Sequence, residues 1–153
     1  AMDGIARIDA ALNEAMKEME DADPIEQFRV QGVTYVRFAV EHPSHFRAMY
    51  TPEVLDATRF PELAEMAQRS HSLVLRSIAQ GQKDGDVYDG DPAAIALTAI
   101  SLVYGVSRLF VDGMLPEAAE GGGAELAEQL ALAVTHVLGH GLLPREEKKA
   151  AKK

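Results

Sequence analysis

Two segments near the C-terminal end carry almost no charge, and they constrain the fold more than any other feature. No Asp, Glu, Lys or Arg occurs in the 16 residues from Pro92 to Ser107, and none occurs between Glu128 and Arg145. Both segments have helical periodicity without a clean polar face, and both fall short of the ~20 apolar residues of a membrane span. A soluble helix that is apolar on all sides must be covered on all sides. We therefore expect no membrane insertion, and predict that each helix packs on the protein's own core and on a second copy of the chain.

The rest of the chain is also helical in its hydrophobic period, and no strand pattern is found. Asp23-Pro24 and Asp91-Pro92 each combine a capping residue with proline at the first helical position. The sequence predicts an all-α bundle of about six helices. They cover residues 3–21, 24–42, a short segment around Phe46, 61–80, 92–113 and 124–143, with a loop over 83–91.

The charge balance limits the function. The chain has 15 Lys+Arg against 24 Asp+Glu, a net charge of −9, and no cysteine. The absence of cysteine excludes disulfides and thiolate chemistry, and the acidic balance argues against nucleic-acid contact by this chain alone. We divide the chain into a domain over residues 1–144 and a charged flexible tail over residues 145–153. Because the first residues lack a signal-peptide pattern, the expected compartment is the cytoplasm.

A succession of short blocks carries a family resemblance. The blocks are Tyr35 to Pro43 (YVRFAVEHP), His45 to Tyr50 (HFRAMY), Pro61 to Leu63, Asp91-Pro92, and Leu102 to Gly113 (LVYGVSRLFVDG). Their order and spacing resemble the C-terminal, WHG-type domain of TetR/AcrR-family transcriptional regulators. This resemblance implies a homodimer formed through a four-helix bundle. It also implies that the domain binds a small, largely apolar effector, which controls DNA binding by an N-terminal helix-turn-helix domain.

The chain departs from the family pattern at two positions and in one larger part. Ile100 stands where the pattern has its name-giving Trp, and Tyr104 stands where it has His, whereas Gly105 matches. No segment corresponds to the helix-turn-helix domain, and the start of the chain looks like the helix that connects the two domains. We therefore expect either an excised regulatory domain or a natural protein without its DNA reader.

The resemblance implies a pocket enclosed by the middle helices. Aromatic, His and Met side chains near Pro43 suit such a pocket, since they combine apolar bulk with adaptable shape or a polar tip. Phe38, Phe46 and Met49 taken singly also fit an ordinary core, and Arg108 fits an ion pair with Asp112. The predicted ligand-binding residues are Tyr35, Phe38, His42, Phe46, Met49, Tyr50, His71, Tyr104 and Arg108.

The predicted dimer interface lies on the two uncharged helices. The alternative is that both helices are simply central in the core. The interface residues predicted from the sequence are Val103, Val106, Phe110, Leu130, Val134, Val137 and Leu138.

Two other function classes remain open. A dimerisation module without a ligand would have the same helices. A small helical metalloprotein or enzyme is a weaker alternative: His136 and His140, or His42 and His45, have helical spacing, but no Cys or acid completes either pair. Nucleophilic motifs are absent from the sequence. We expect no catalytic residue, no metal site and no cofactor.

Overall fold

The computed structural model describes residues 2–19, 21–52, 56, 58–115 and 123–142. These residues form six helices and no strand, which confirms the predicted all-α bundle. The predicted tail, residues 145–153, lies outside the described residues. The helices are α1 (Met2–Glu18), α2 (Pro24–Glu41), α3 (Pro43–Met49), α4 (Pro61–Asp84), α5 (Pro92–Val111) and α6 (Ala124–Leu142).

The two Asp-Pro signals both begin helices. The Asp23 carboxylate accepts a hydrogen bond from the Glu26 backbone N–H at 2.9 Å, and Asp91 accepts one from the Ala93 N–H at 3.0 Å. Each bond satisfies a backbone donor that the first helical turn leaves free. The starts of α2 and α5 therefore follow directly from the sequence.

The end of α4 differs from the prediction. The helix continues to Asp84, so the first residues of the predicted loop are helical. It ends at Gly85, whose φ of 84° is the left-handed conformation that closes helices, and Asp86 N–H donates to the Gly81 carbonyl at 2.8 Å. The glycine, rather than the surrounding acidic residues, determines where the helix stops.

The central element of the bundle is α2, which packs against all five other helices. Val36 and Ala39 on this helix are fully buried. Gly32 marks the close approach to α5 and α6, because a Cβ there would lie 3.0 Å from Thr135 Cγ2 and 3.3 Å from Val103 Cγ2. A small residue at this position lets three helices meet.

The buried side chains of α1 pack toward α2 and α3. Ile5 and Ile8 of α1 form one apolar cluster with Phe38 and Met49. At the other end of the molecule, α2, α4 and α5 share a separate cluster that includes Phe28. Helix α1 is thus anchored on one side, and its contact with α4 is slight.

Helix α5 is the one described helix long and apolar enough to cross a membrane by length and composition. That property is weak support for a span, because a core helix passes the same test. Here α5 packs against α2, α4 and α6.

Candidate functional site

A cavity of about 560 Å³ lies between α1, α2, α4 and α5. This volume is within the usual range of small-molecule sites. Ala67, Ser70 and His71 of α4 are exposed and border the open side of the cavity. The lining residues are Leu12, Phe28, Gln31, Gly32, Tyr35, Tyr50, Ala67, Ser70, His71, Val74, Ala99, Ile100, Val103 and Tyr104.

Three tyrosines form one end of the cavity. The hydroxyl groups of Tyr35 and Tyr50 share a hydrogen bond, and the ring centroids of Tyr50 and Tyr104 are 4.7 Å apart. Behind them, the fully buried ring of Phe46 packs edge-on against Tyr35 at 5.9 Å. The bend at Pro43 brings α3, and with it Tyr50, back against α2. A rigid aromatic wall results, with polar tips.

Burial keeps the hydroxyl groups of Tyr35 and Tyr50 protonated. It raises the pKa of Tyr35 far above its usual value of 10.0, and the adjacent Tyr50 and Tyr104 raise it further. Burial also raises the pKa of Tyr50, although the hydrogen bond from Tyr35 opposes the change. At neutral pH both groups are neutral and able to donate hydrogen bonds.

Gln31 is a cavity residue that the sequence analysis did not identify. Its side chain is 8% exposed, and its Nε2 atom has no hydrogen-bond partner among the described residues. It lies one helical turn before Tyr35, so both side chains share a face of α2. The sequence signal that could have identified Gln31 is a polar amide among the inward-facing positions of α2.

A polar groove of about 620 Å³ adjoins the cavity between α1, α2 and α4. The two spaces meet at Leu12, Gln31 and Ser70, which line both. Arg69 and Arg76 line the groove but not the cavity. The groove therefore offers a path from solvent to the cavity along the α1–α4 gap.

A second feature is an uncovered apolar face on α5 and α6. Leu97 and Leu109 of α5 are 61% and 40% exposed, and Val137 of α6 is 71% exposed. The two helices pack side by side. Exposed side chains of this kind are typical of a contact surface when they occur together.

A match to a known protein family identifies the domain. A family model described as "Tetracyclin repressor-like, C-terminal domain" matches residues 28–134. The chain belongs to this family. Its six helices are the TetR C-terminal domain fold, and membership makes it a regulatory domain of the kind found in transcriptional regulators.

Two solved structures show the same fold. A protein of unknown function from Rhodococcus sp. RHA1 is 25% identical with a TM-score of 0.70, covering 92% of this chain and 68% of that one. A bacterial regulatory protein in the tetR family, from Rhodococcus RHA1, is 23% identical with a TM-score of 0.59, covering 85% of this chain and 69% of that one. No curated protein matches the chain significantly.

Within this TetR-like domain, four of the predicted ligand-binding residues line the cavity: Tyr35, Tyr50, His71 and Tyr104. They come from α2, the end of α3, α4 and α5, which are distant in sequence. The fold therefore assembles a shared wall from residues that the sequence could only propose one by one.

The other predicted ligand-binding residues lie away from the cavity wall. Phe38, Phe46 and Met49 are 4%, 0% and 8% exposed and belong to packed clusters, which is the alternative that the sequence left open. His42 packs on the Phe38 ring at 5.1 Å. None of these four residues is part of the cavity lining described above, and their role in ligand binding stays a prediction.

Arg108 forms the ion pair with Asp112 that the sequence left open as an alternative. Its guanidinium lies 2.7 Å from the Asp112 carboxylate, one helical turn later. Both side chains are partly solvent-exposed, so the pair contributes little to stability. Arg108 does not line the cavity.

The predicted dimer residues divide between the two sides of α5 and α6. Val103 is 7% exposed and lines the cavity. Val137 is exposed. The remaining five are half-buried: Val106, Phe110, Leu130, Val134 and Leu138.

The histidine pairs lead to no described metal site. Among the described residues, no group of three or more His, Cys, Asp or Glu is arranged to hold an ion. His42 and His45 face each other with ring centroids 5.9 Å apart. The side chain of His140 lies outside the described residues.

Proposed function

We propose that this domain senses a small, largely apolar molecule and controls DNA binding by an N-terminal domain of the complete regulator. The observation that carries the proposal is the cavity between α1, α2, α4 and α5. It combines an apolar wall with a few convergent polar groups, the composition expected of a ligand site. Its size leaves room for a molecule of two or three rings.

Helix α1 is the proposed output element. Leu12 of α1 lines the cavity, while Ile5 and Ile8 anchor the same helix on α2 and α3. At its first turn Asp3 lies 3.0 Å from His45 Nε2 of α3. A ligand between α1 and α4 would favour one position of α1 over another, and this differential contact is what population shift requires.

A small movement of α1 would suffice. Paired DNA readers must match half-sites roughly 34–36 Å apart. A pivot of the connecting helix in each subunit of a dimer alters this spacing, so ligand binding in the cavity weakens or strengthens DNA binding at a distance.

A binding test with a neutral fluorescent dye addresses the sensor function. We expect N-phenyl-1-naphthylamine, a neutral three-ring dye, to bind wild-type protein at one site per chain and to brighten in the apolar cavity. Ile100→Phe fills part of the cavity and should abolish this binding. Thr98→Phe, two residues earlier on the same helix but exposed, is the control and should bind like wild type. Absent binding to wild type, or equal binding to both variants, contradicts the sensor function and favours a ligand-free module.

We further propose a homodimer through a four-helix bundle of α5 and α6 from two chains. The exposed Leu97, Leu109 and Val137 support this face. Val137→Asp places a charge on this face and should give a monomer in sedimentation velocity, whereas Ala64→Asp on the exposed face of α4 should leave the dimer intact. A Val137→Asp protein that still sediments as a dimer would place the interface elsewhere.

The proposal assigns no catalytic residue, cofactor or metal to the domain. It places the regulator in the cytoplasm and gives this chain no direct contact with nucleic acid or membrane. The net charge of −9 supports the separation from DNA.

A further inference from the structure

The side-chain amide of Gln31 stands apart from comparable amides in the molecule. Gln27 Nε2 donates to the carbonyls of Met19 and Ala22 at 3.0 and 3.1 Å. Gln82 Nε2 donates to two loop carbonyls at 3.0 and 2.9 Å. Gln31 Nε2 is buried with no partner among the described residues. A buried donor without an acceptor is unfavourable, so the position of Gln31 indicates an acceptor supplied from outside the chain.

A second donor lies on the same face. Tyr35 is one turn further along α2, and its hydroxyl shares one hydrogen bond with that of Tyr50. Two hydroxyl groups joined by one bond retain one proton that can be donated elsewhere. Burial keeps both groups protonated by raising the pKa of each. The polar end of the cavity therefore presents donors to whatever enters it.

The cavity wall is also uncharged. None of its described lining residues is Asp, Glu, Lys or Arg, and its one histidine, His71, is exposed at the open side. Burying an ionised group without a compensating charge is strongly unfavourable. The nearest set of cations, Arg69 and Arg76, lines the outer groove. Asp9 and Glu65 line the same groove, so its cations are balanced by acids, and no charged residue of the described cavity lining compensates a carboxylate beside Gln31.

Building on the sensor function proposed above, we propose that the ligand is a neutral, largely apolar molecule whose carbonyl-type oxygen accepts a hydrogen bond from Gln31 Nε2. The apolar body lies against Phe28, Val74 and Ile100. Ketones, esters, lactones and amides meet this description. Hydrocarbons lack the acceptor, and carboxylates carry a charge that the cavity does not compensate.

Three matched probes test the chemistry. Benzophenone carries the carbonyl, 1,1-diphenylethylene replaces its oxygen by a methylene of the same shape, and 2-benzoylbenzoate adds a carboxylate. Their dissociation constants are measured by equilibrium dialysis against the 153-residue protein. We expect wild type to bind the ketone about tenfold more tightly than the hydrocarbon, as one buried hydrogen bond provides, and the carboxylate most weakly.

Two variants assign the preference to one residue. Gln31→Met keeps the length of the side chain and removes its donor, so the preference for the ketone should fall to about twofold or less while hydrocarbon binding persists. Gln68→Met, in the groove but not on the cavity wall, should retain the wild-type preference. Persistent hydrocarbon binding also shows that the Gln31→Met protein is folded with its cavity intact.

The failures are distinguishable. Equal binding of ketone and hydrocarbon by wild type, an unchanged preference in Gln31→Met, or tightest binding of the carboxylate overturns the assignment of a neutral acceptor while leaving a ligand cavity. If wild type binds none of the three probes, both this assignment and the sensor function are overturned.

Discussion

At the scale of single residues, the buried polar side chains differ in whether their hydrogen bonds are satisfied within the chain. Ser107 and Thr135 are fully enclosed, but each hydroxyl donates to a carbonyl one turn earlier on its own helix, at 2.8 and 2.7 Å. The donors of these two hydroxyl groups are therefore satisfied within the chain. Gln31 Nε2 has no such bond among the described residues, and it lines the cavity. This difference is the reason why we propose Gln31, rather than the other buried polar residues, as a ligand contact.

The buried hydroxyl groups of Tyr35 and Tyr50 predict a loss of stability at high pH. Their folded pKa values are raised, so the stabilisation by the neutral hydroxyls is fully present below the unfolded pKa of 10.0 and is lost as the pH rises above it. Each buried hydroxyl contributes up to about 1.4 kcal/mol per pH unit above that value. Urea unfolding of wild type should therefore show a free energy of unfolding that declines between pH 9.5 and 11.5.

Comparison with phenylalanine variants isolates this effect. The double variant Tyr35→Phe, Tyr50→Phe should show a shallower decline over the same range. Tyr88→Phe, at a loop position that is 38% exposed, should follow the wild-type curve. Parallel curves for wild type and the double variant would show that the two hydroxyl groups titrate normally in the folded protein.

At residue scale the sequence identified the aromatic cluster but not which members line the cavity. Phe46 and Tyr50 both follow the Pro43 bend, yet Phe46 is fully buried and Tyr50 borders the cavity. Helical periodicity gives the direction of a side chain on its own helix. It does not give the distance to the next helix, and that distance decides between a packed ring and a cavity wall.

At the scale of elements, the position of α2 organises the domain. Its two ends were predictable, because Asp23-Pro24 fixes the start and Pro43 stops the helix. The close packing at Gly32 was not predictable from the sequence, because it depends on how near α5 and α6 lie to α2. Helix α4 continues past the predicted end at residue 80 and stops at Gly85. The many acidic and turn residues of this segment favoured a loop in the prediction.

Gly32→Ala tests the close approach of α5 and α6 to α2. The new methyl would press on Thr135 and Val103, with an overpacking cost of 1–3 kcal/mol offset by about 1 kcal/mol of helix propensity, so we expect a net destabilisation of about 1 kcal/mol. Chemical denaturation measures the difference.

Gly105→Ala on α5 is the matched control. No atom of the same chain beyond its own helix backbone lies within 4 Å of the added methyl, so the substitution should raise stability by up to about 1 kcal/mol. An increase in stability for Gly32→Ala as well would mean that α2 and α6 are further apart than described.

At the scale of the whole molecule, the two sides of α2 carry different features. One side carries α5 and α6 with an apolar outer face, and the other carries the cavity, the groove and α1. The family and the all-α fold were predictable from block order and helical period. The resemblance implied a pocket among the middle helices, but the residues of its wall were not predictable, because the wall depends on how α1, α2, α4 and α5 pack together.

This arrangement links the proposed ligand to the proposed output. A molecule beside Gln31 and Leu12 touches both α2, which is fixed by packing on every side, and α1, which is anchored by one cluster. The element with fewer contacts is the one that a ligand displaces at lower cost. The net charge of −9 agrees with the proposal that this domain does not itself contact DNA.

A crystal structure with 4-bromobenzophenone tests the central claim most directly, because the anomalous signal of bromine fixes the position of the ligand independently of its fit. We expect the bromine peak inside the cavity near Phe28 and Ile100, with the ketone oxygen within hydrogen-bond distance of Gln31 Nε2. A peak confined to the groove beside Arg69 and Arg76, or to the outer face of α5 and α6, would contradict the account.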